Sequence, residues 1–373
     1  MQVPEDPHSI ERVLIYRLGS LGDTIVALPC FHQIARAFPN AQRRLLTNLP
    51  VHSKAPAAYS VLAGSGLVTT HDGYLRYPIG TRDGAELLAL RRQVRQWQPQ
   101  VLVYLTARPR WLQVVRDVAF FRFCGIPHIL GAPFSLDART HRMDAASGIY
   151  EAEAARLART LHALGEIDLK DPANWDLHLT PAEHAHAAMA LLPFDGRPLF
   201  ACSVGTKVQA KDWGIDNWRT VLQELAQKLP EYGLVLVGAT EERAISDHAA
   251  AAWQGRSINL CGSLTPRGSA AVLKHARFFL GHDSGPMHLA AAMQTCCVAI
   301  FSARNRPAVW FPCGSGHEIL YHRTDCWGCG LETCIEQRKK CLMAISPDAV
   351  IGAVLHVLAK QTFAHASADG WSA

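Results

Sequence analysis

No stretch of about 18 apolar, uncharged residues occurs anywhere in the 373-residue chain, so no membrane-spanning helix is expected. Met1 to Arg12 contains Glu5, Asp6 and Glu11 and no apolar run, unlike a secretory leader. Both absences point to a cytoplasmic protein, in which the eleven cysteines would be thiols or metal ligands rather than disulfides. Charge of one sign is scarce as well. Lys and Arg number 37 against 32 Asp and Glu, a net of +5, and a dedicated nucleic-acid binder carries a stronger or more clustered excess. The first glycine-rich loop reads Gly19-x-x-Gly22 rather than G-x-G-x-x-G, and the second predicted strand ends in Thr47-Asn48-Leu49 without an acid for a ribose. A dinucleotide site is therefore discounted. No Asp-x-Asp pair stands at a strand end in the second half, so no obligatory divalent metal is expected. No other obligatory cofactor is expected either. What the chain does have is 49% hydrophobic residues against 18% charged, enough for a sizeable core.

Apolar runs alternate with amphipathic stretches along the whole chain. In the first half, strands are predicted at 12–18, 44–49, 100–106 and 128–130. Helices are predicted at 24–38, 84–97, 111–123 and 150–165. Residues 166–180 lose periodicity and read as a linker. The second half repeats the pattern, with strands at 199–204, 234–237, 258–261, 278–280 and 297–301. Helices fall between them, residues 304–345 are irregular and cysteine-rich, and a last helix covers 347–363 before a frayed tail. The expected fold class is α/β: two Rossmann-like parallel-sheet domains, 1–175 and 176–345, facing a central cleft, with a C-terminal helix and tail at 346–373.

Three strand ends carry chemistry. In Arg17-Leu-Gly-Ser-Leu-Gly-Asp23, Gly19 and Gly22 let the backbone approach a ligand, and Asp23 enters the first turn of a helix. Asp23 is either a general base or only a helix cap. In His282-Asp-Ser-Gly-Pro-Met-His288, a helix start offers Ser284 and the N–H groups of Ser284 and Gly285 to phosphate oxygens, with His288 facing the same ligand. Alternatively, Asp283 caps the helix and His288 is a satisfied buried side chain. After the strand that ends in Ser203-Val-Gly-Thr206, Lys207 or Lys211 can neutralise a departing diphosphate, or be a solvated loop charge. Glu241 and Glu242 follow the next strand as ribose acceptors or as acids suited to a helix dipole.

Taken together these stretches resemble glycosyltransferase family nine, the ADP-heptose:lipopolysaccharide heptosyltransferases. The resemblance rests on R-L-G-S-L-G-D-T from Arg17, Lys211-Asp-Trp-Gly-Ile-Asp-Asn-Trp218, Asp283-Ser-Gly-Pro-Met-His-Leu-Ala290 and Cys341-Leu-Met-Ala-Ile-Ser-Pro347, in the family's order across about residues 12–360. It implies a GT-B fold, with an acceptor-binding first domain and a second domain for the nucleotide sugar. By position, Asp23 matches the general base and Lys211 the diphosphate contact. Glu241 or Glu242 matches the ribose contact. Asp283, Ser284, Gly285 and His288 match the nucleotide loop. The chain departs from the family pattern at Asp212 and Gly214, at Ser284 and at Ser302-Ala-Arg304. The implied reaction is inverting and metal-independent: transfer of heptose or a related sugar from ADP-heptose or another nucleotide sugar to a lipopolysaccharide or other envelope saccharide. The alternatives are a nucleotide-sugar epimerase of the same fold and a catalytically degenerate sugar-nucleotide-binding protein.

On the acceptor side, Arg108 and Arg110 follow the strand at 100–105. With Arg116 and Arg122 they make a basic, partly aromatic face suited to an anionic saccharide, a glycolipid or the inner membrane at its cytoplasmic side. A solvated helix start is the plainer reading. Cys326-x2-Cys329-x4-Cys334-x6-Cys341 holds four candidate zinc ligands, with free thiols as the alternative.

Overall fold

The computed structural model describes residues 4–48, 58–69, 74–78 and 84–369. Contacts divide the chain into two compact units that meet at Thr180/Pro181. The first unit is built on β1 (Arg12–Tyr16), β2 (Gln42–Thr47), β3 (Leu75–Arg76), β4 (Val101–Tyr104) and β5 (His128–Leu130). All pairs are parallel, in the order β3-β2-β1-β4-β5, with Ile15 opposite both Leu45 and Val103. Helices cover both faces of such a sheet, so its central strands read as unbroken apolar runs. Val13–Tyr16 and Val101–Tyr104 are indeed fully buried.

The helix expected over 24–38 is two helices, Leu21–Ile25 and Leu28–Ala37. Pro29 lacks an N–H and restarts the helix in its first turn rather than continuing one. The helix expected over 150–165 contracts to Glu153–Thr160 and a 3-10 turn, His162–Leu164, before Gly165 at φ +106°. The segment ahead of it is held by ion pairs instead. Arg159 bonds Asp137 and Glu151 at 2.8 and 2.7 Å, and Arg142 bonds Asp137 at 2.9 Å. Residues 166–180, read as a linker, carry a 3-10 turn at Pro172–Trp175. Trp175 is buried there, and Asn174 accepts from Arg36 at 2.8 Å.

The second unit contains β6 (Leu199–Ser203), β7 (Gly233–Leu236), β8 (Ser257–Asn259), β9 (Phe278–His282), β10 (Cys296–Phe301) and β11 (Glu318–Tyr321). Again all pairs are parallel, ordered β11-β10-β9-β6-β7-β8. The edge strand β11 was not expected, because all four of its residues are only partly buried and its apolar signal is correspondingly weak. The last helix, Pro347–Asp369, buries Val350, Val354 and Val357 in the same core as Trp218 and Leu222. Residues 370–373 of the tail lie outside the described residues. Among the described residues no helix is long and apolar enough to cross a membrane.

Both sheets reverse their winding once, between β1 and β4 and between β6 and β9. Ligands of open α/β sheets bind beyond the carboxyl ends of the strands at such a switch point.

The first unit also encloses a buried charge pair. Glu153 and Arg156, each 2% exposed, bond through both carboxylate oxygens at 2.7 Å, and His141 adds a third contact at 2.9 Å. Burial pushes the Glu153 carboxyl up, but the bonds from Arg156 and His141 outweigh it and hold it at about 2. Its stabilisation is thus full above pH 4.5 and is lost as the pH falls towards 2. Glu153→Gln should cost about 3 kcal/mol at pH 7, because it strands the Arg156 charge. It should also flatten the pH 2–4.5 limb, as read by urea unfolding at several pH values.

Candidate functional site

At the first switch point, β1 runs out through Arg17 and Leu18 into Gly19 at φ +139°, where an added Cβ would lie 2.4 Å from Asp23 Cβ. Ser20 caps the helix Leu21–Ile25, so Asp23 is its third residue and not the cap. One carboxylate oxygen, Oδ2, accepts from the Ser20 N–H at 2.7 Å and its hydroxyl at 2.8 Å. The other oxygen, Oδ1, meets only Arg17 Nη2, at 3.8 Å. The Asp23 side chain is one-third exposed, so Oδ1 can take a proton from a ligand.

Arg17 itself is buried. Its guanidinium donates to the carbonyls of Asp23 and of Leu105, the latter at 2.6 Å, which ties β1 to the end of β4. Thr106 reinforces that tie by donating to Tyr16 O and accepting from Leu18 N, both at 3.1 Å. Asn48, at the end of β2, accepts from Gly19 N at 2.8 Å. These supporting roles are not legible in the sequence, because bonds to backbone atoms leave no spacing pattern. Gly22 is buried in the helix.

Arg108 and Arg110 separate. Arg108 turns inward to Asp117 at 2.8 Å and to the Tyr16 hydroxyl at 2.6 Å. Asp117 also accepts from Tyr104 and Arg116. Arg110 stays exposed just before the helix Trp111–Phe123.

At the second switch point, Lys211 and Asp283 meet at 2.7 Å. Lys211 Nζ also donates to Asp283 O at 3.1 Å. Asp283 is buried and takes a further bond from Asn305, so it holds Lys211 in place and does not cap the helix. Ser284 is the N-cap of the helix Gly285–Ala292, and its buried hydroxyl has no partner. With Pro286 lacking an N–H, Gly285 and Met287 remain as first-turn donors beside Lys211. Cation, unpaired hydroxyl and helix N-terminus thus converge where an anion would sit. His288 is buried, with its ring centroid 6.3 Å from that of Trp310, rather than open at the helix start.

Of the two candidate acids, Glu242 and not Glu241 lies at the strand ends. Its carboxylate accepts from Ala239 N at 2.8 Å and fills the space where Gly205 and Gly238 would otherwise carry a Cβ. Glu241 is exposed. Thr206 is partly buried, accepting from Val208 N, whereas Lys207 is exposed.

Trp213 sets the reach of Lys211. It is fully buried, donates its N–H to His282 Nε2 at 3.1 Å and its indole N–H to Ile345 O at 2.9 Å. Gly214 follows at φ +97°, in the left-handed region that favours glycine.

The four candidate zinc ligands do not form a set. Among the described residues no three His, Cys, Asp or Glu side chains are grouped as a metal needs. Cys341 is buried in the core of the second unit while Cys329 is exposed. Arg304, in the departing Ser302-Ala-Arg304 stretch, bonds the carbonyls of Leu331 and Gly330 and so holds the cysteine-rich segment by its backbone.

Burial pushes the His282 imidazole down to about 4, so it is neutral at pH 7 and can accept from Trp213. A lowered histidine contributes stability that is full above pH 6.5 and lost as the pH falls through 4. Wild-type unfolding free energy should drop by about 3 kcal/mol across that window, and His282→Asn should be flatter there; chemical denaturation against pH reads both.

The family model described as glycosyltransferase family 9 (heptosyltransferase) matches residues 137–340. The lipooligosaccharide heptosyltransferase 2 of Campylobacter jejuni is 28% identical over 95 residues, which span 25% of this chain and 29% of that protein. A glycosyl transferase family 9 structure from Veillonella parvula superposes with a TM-score of 0.69 at 15% identity, covering 96% of this chain and all of that one. The E. coli heptosyltransferase WaaC with ADP gives 0.63 at 16%, covering 93% and 99%. At such identities the structures speak for the fold, two parallel α/β units of the GT-B type. With more than half of its residues matched by the family model, this chain belongs to glycosyltransferase family 9.

Proposed function

We propose that the protein is an inverting glycosyltransferase. It would move heptose or a related sugar from a nucleoside-diphosphate donor, ADP-heptose foremost, to a saccharide of a lipopolysaccharide-type glycolipid. The observation that carries this reading is the convergence of Lys211, the unpaired Ser284 hydroxyl and the start of the helix Gly285–Ala292 at the β6/β9 switch point. A diphosphate gains charge as it leaves the anomeric carbon, and a cation beside free N–H donors stabilises that charge without a proton transfer. Glu242, in the turn after β7, would accept from ribose hydroxyls. WaaC was solved with ADP, which supports an adenine nucleotide as the donor's base.

In the first unit, Asp23 Oδ1 would take the proton of the acceptor hydroxyl as its oxygen attacks the anomeric carbon. Oδ2 is held by Ser20, which fixes the carboxylate for that step. Exposed Arg110 would meet anionic groups of the acceptor, while Arg108, drawn to Asp117, serves as a support for that wall. The acceptor's lipid would place the enzyme peripherally at the cytoplasmic face of the inner membrane.

Two experiments test this. Asp23→Asn should lower the transfer rate about 10²-fold or more while ADP affinity stays within about twofold, measured by single-turnover transfer and calorimetry. Full activity removes Asp23 from the mechanism. In a thermal-shift panel of ADP, GDP, UDP, CMP and dTDP, ADP at about 100 times its Kd should stabilise by about 2.7 kcal/mol, and the others by little. A selective shift with another base reassigns the donor.

A further inference from the structure

Sixteen large hydrophobic side chains are exposed among the described residues, and eight of them fall between residues 111 and 149. Single exposed apolar residues are ordinary on a protein surface, but such a concentration marks an interaction face. Four of the eight lie on the helix Trp111–Phe123: Trp111, Leu112, Val115 and Phe123, between 38% and 61% exposed. At 100° per residue they share one outward arc, while Val114 and Phe121 point into the core. The helix is therefore apolar on both sides, a pattern that a water-facing helix avoids.

Positive charge lies within and beside the same arc, with Arg122 between Trp111 and Val115 and Arg116 just past Phe123 around the helix. Arg110, Arg116 and Arg122 are exposed. Over residues 84–130 seven arginines stand against two acids, Glu86 and Asp117. Asp117 is buried and already neutralised by Arg108 and Arg116. The Arg91 guanidinium lies 4.0 Å over the Phe123 ring, so even the far end of the arc pairs a cation with an apolar surface.

The segment after β5 adds Leu136 and Met143, 68% and 51% exposed. It is pinned by the Asp137 and Glu151 ion pairs with Arg142 and Arg159, and Met143 pairs with Tyr150 across an isolated bridge. These side chains are thus held outward rather than left on a loose loop. Since β4 and β5 are parallel neighbours, with Val103 opposite Leu130, the segment and the start of the helix leave the same edge of the sheet.

We propose that this face docks on an anionic lipid surface. The apolar side chains enter the boundary between headgroups and acyl chains, and the arginines meet lipid phosphates. The excess of arginine over acid, seven against two in 84–130, favours an anionic bilayer over an apolar protein partner. Trp111, amphipathic and at the edge of the patch, suits the interface itself. The inference deepens the membrane placement proposed above by naming the surface, and it is separable from the donor chemistry assigned to the second unit. It also brings the acceptor to its base, because the sheet edge that carries Trp111 is the one where β1 delivers Asp23.

The test is co-sedimentation of the full chain with phosphatidylglycerol/phosphatidylethanolamine vesicles and with phosphatidylcholine vesicles, alongside tryptophan emission. The wild type should bind the anionic vesicles with a blue shift, bind phosphatidylcholine far less, and weaken as salt rises. Trp111→Ser with Leu112→Ser should reduce binding to the phosphatidylcholine level. Arg110→Ser and Arg122→Ser should each weaken it about fivefold. Thermal unfolding and ADP binding should match wild type in every variant, which separates lost docking from lost folding. Absence of wild-type binding to the anionic vesicles overturns the proposal, whether or not ADP binds. So does binding that survives the Trp111/Leu112 change. A solution dimer that this change dissolves, without vesicle binding, would give the face to a second copy instead. Vesicle binding without ADP binding would leave the docking face standing and sink the donor assignment.

Discussion

Trp213 bridges the end of β9 and the turn before the last helix, and the second unit's site hangs from it. Its backbone N–H reaches His282 Nε2, its ring N–H reaches Ile345 O, and its ring meets Trp218 edge-on at 5.2 Å. The contact with His282 works only if that nitrogen accepts, which requires the imidazole to stay neutral and therefore dry. From this fixed point the chain runs back two residues to Lys211, which the bridge holds against Asp283. Asp283 is steadied in turn by Asn305, whose carbonyl accepts from Tyr321 on the edge strand at 2.9 Å. The position of one ammonium group thus follows from packing several residues away in several directions.

The two switch points use the same local form, a strand end passing into a helix start, for different chemistry. In the first unit a side-chain carboxylate occupies the first turn, and Ser20 spends its own N–H and hydroxyl on holding it. The helix start there is occupied from within, so it favours a proton acceptor over an anion. In the second unit the cap hydroxyl is idle, the carboxylate is turned away onto a lysine, and the first-turn donors stay open. An anion is favoured there for the same reason that it is disfavoured in the first unit.

Most of the sheet was legible in the sequence because buried parallel strands carry no polar interruption: the predicted strands at 12–18, 100–106 and 278–280 overlap β1, β4 and β9. Helices with an amphipathic stripe, such as Gly84–Trp97, were equally plain. Periodicity misled where it ran through a break. Pro29 splits one apolar stripe into two helices, and the ion pairs around Asp137 and Glu151 replace a predicted first turn. β11 escaped notice because an edge strand half-covered by a helix need not be apolar. In the sites, the residues at strand ends were readable, but their supports were not. Arg17, Thr106 and Asn305 act on backbone atoms or on a single carboxylate, and neither spacing nor composition reports that. Glu241 and Glu242 were indistinguishable by sequence, and they differ in the structure because Glu242 fills the space above Gly205 and Gly238.

Gly19 and Asp23 share one volume. The side chain of Asp23 occupies the room that any side chain at position 19 would need, and the backbone there sits at φ +139°. The glycine is therefore constrained twice, by the Asp23 side chain and by its own backbone conformation. Alanine at 19 is barred while an aspartate stands at 23, and a smaller residue at 23 would still leave the left-handed backbone to be met. A lineage that gave up the carboxylate would gain little freedom at the glycine, whereas one that lost the glycine would forfeit the carboxylate's placement at once.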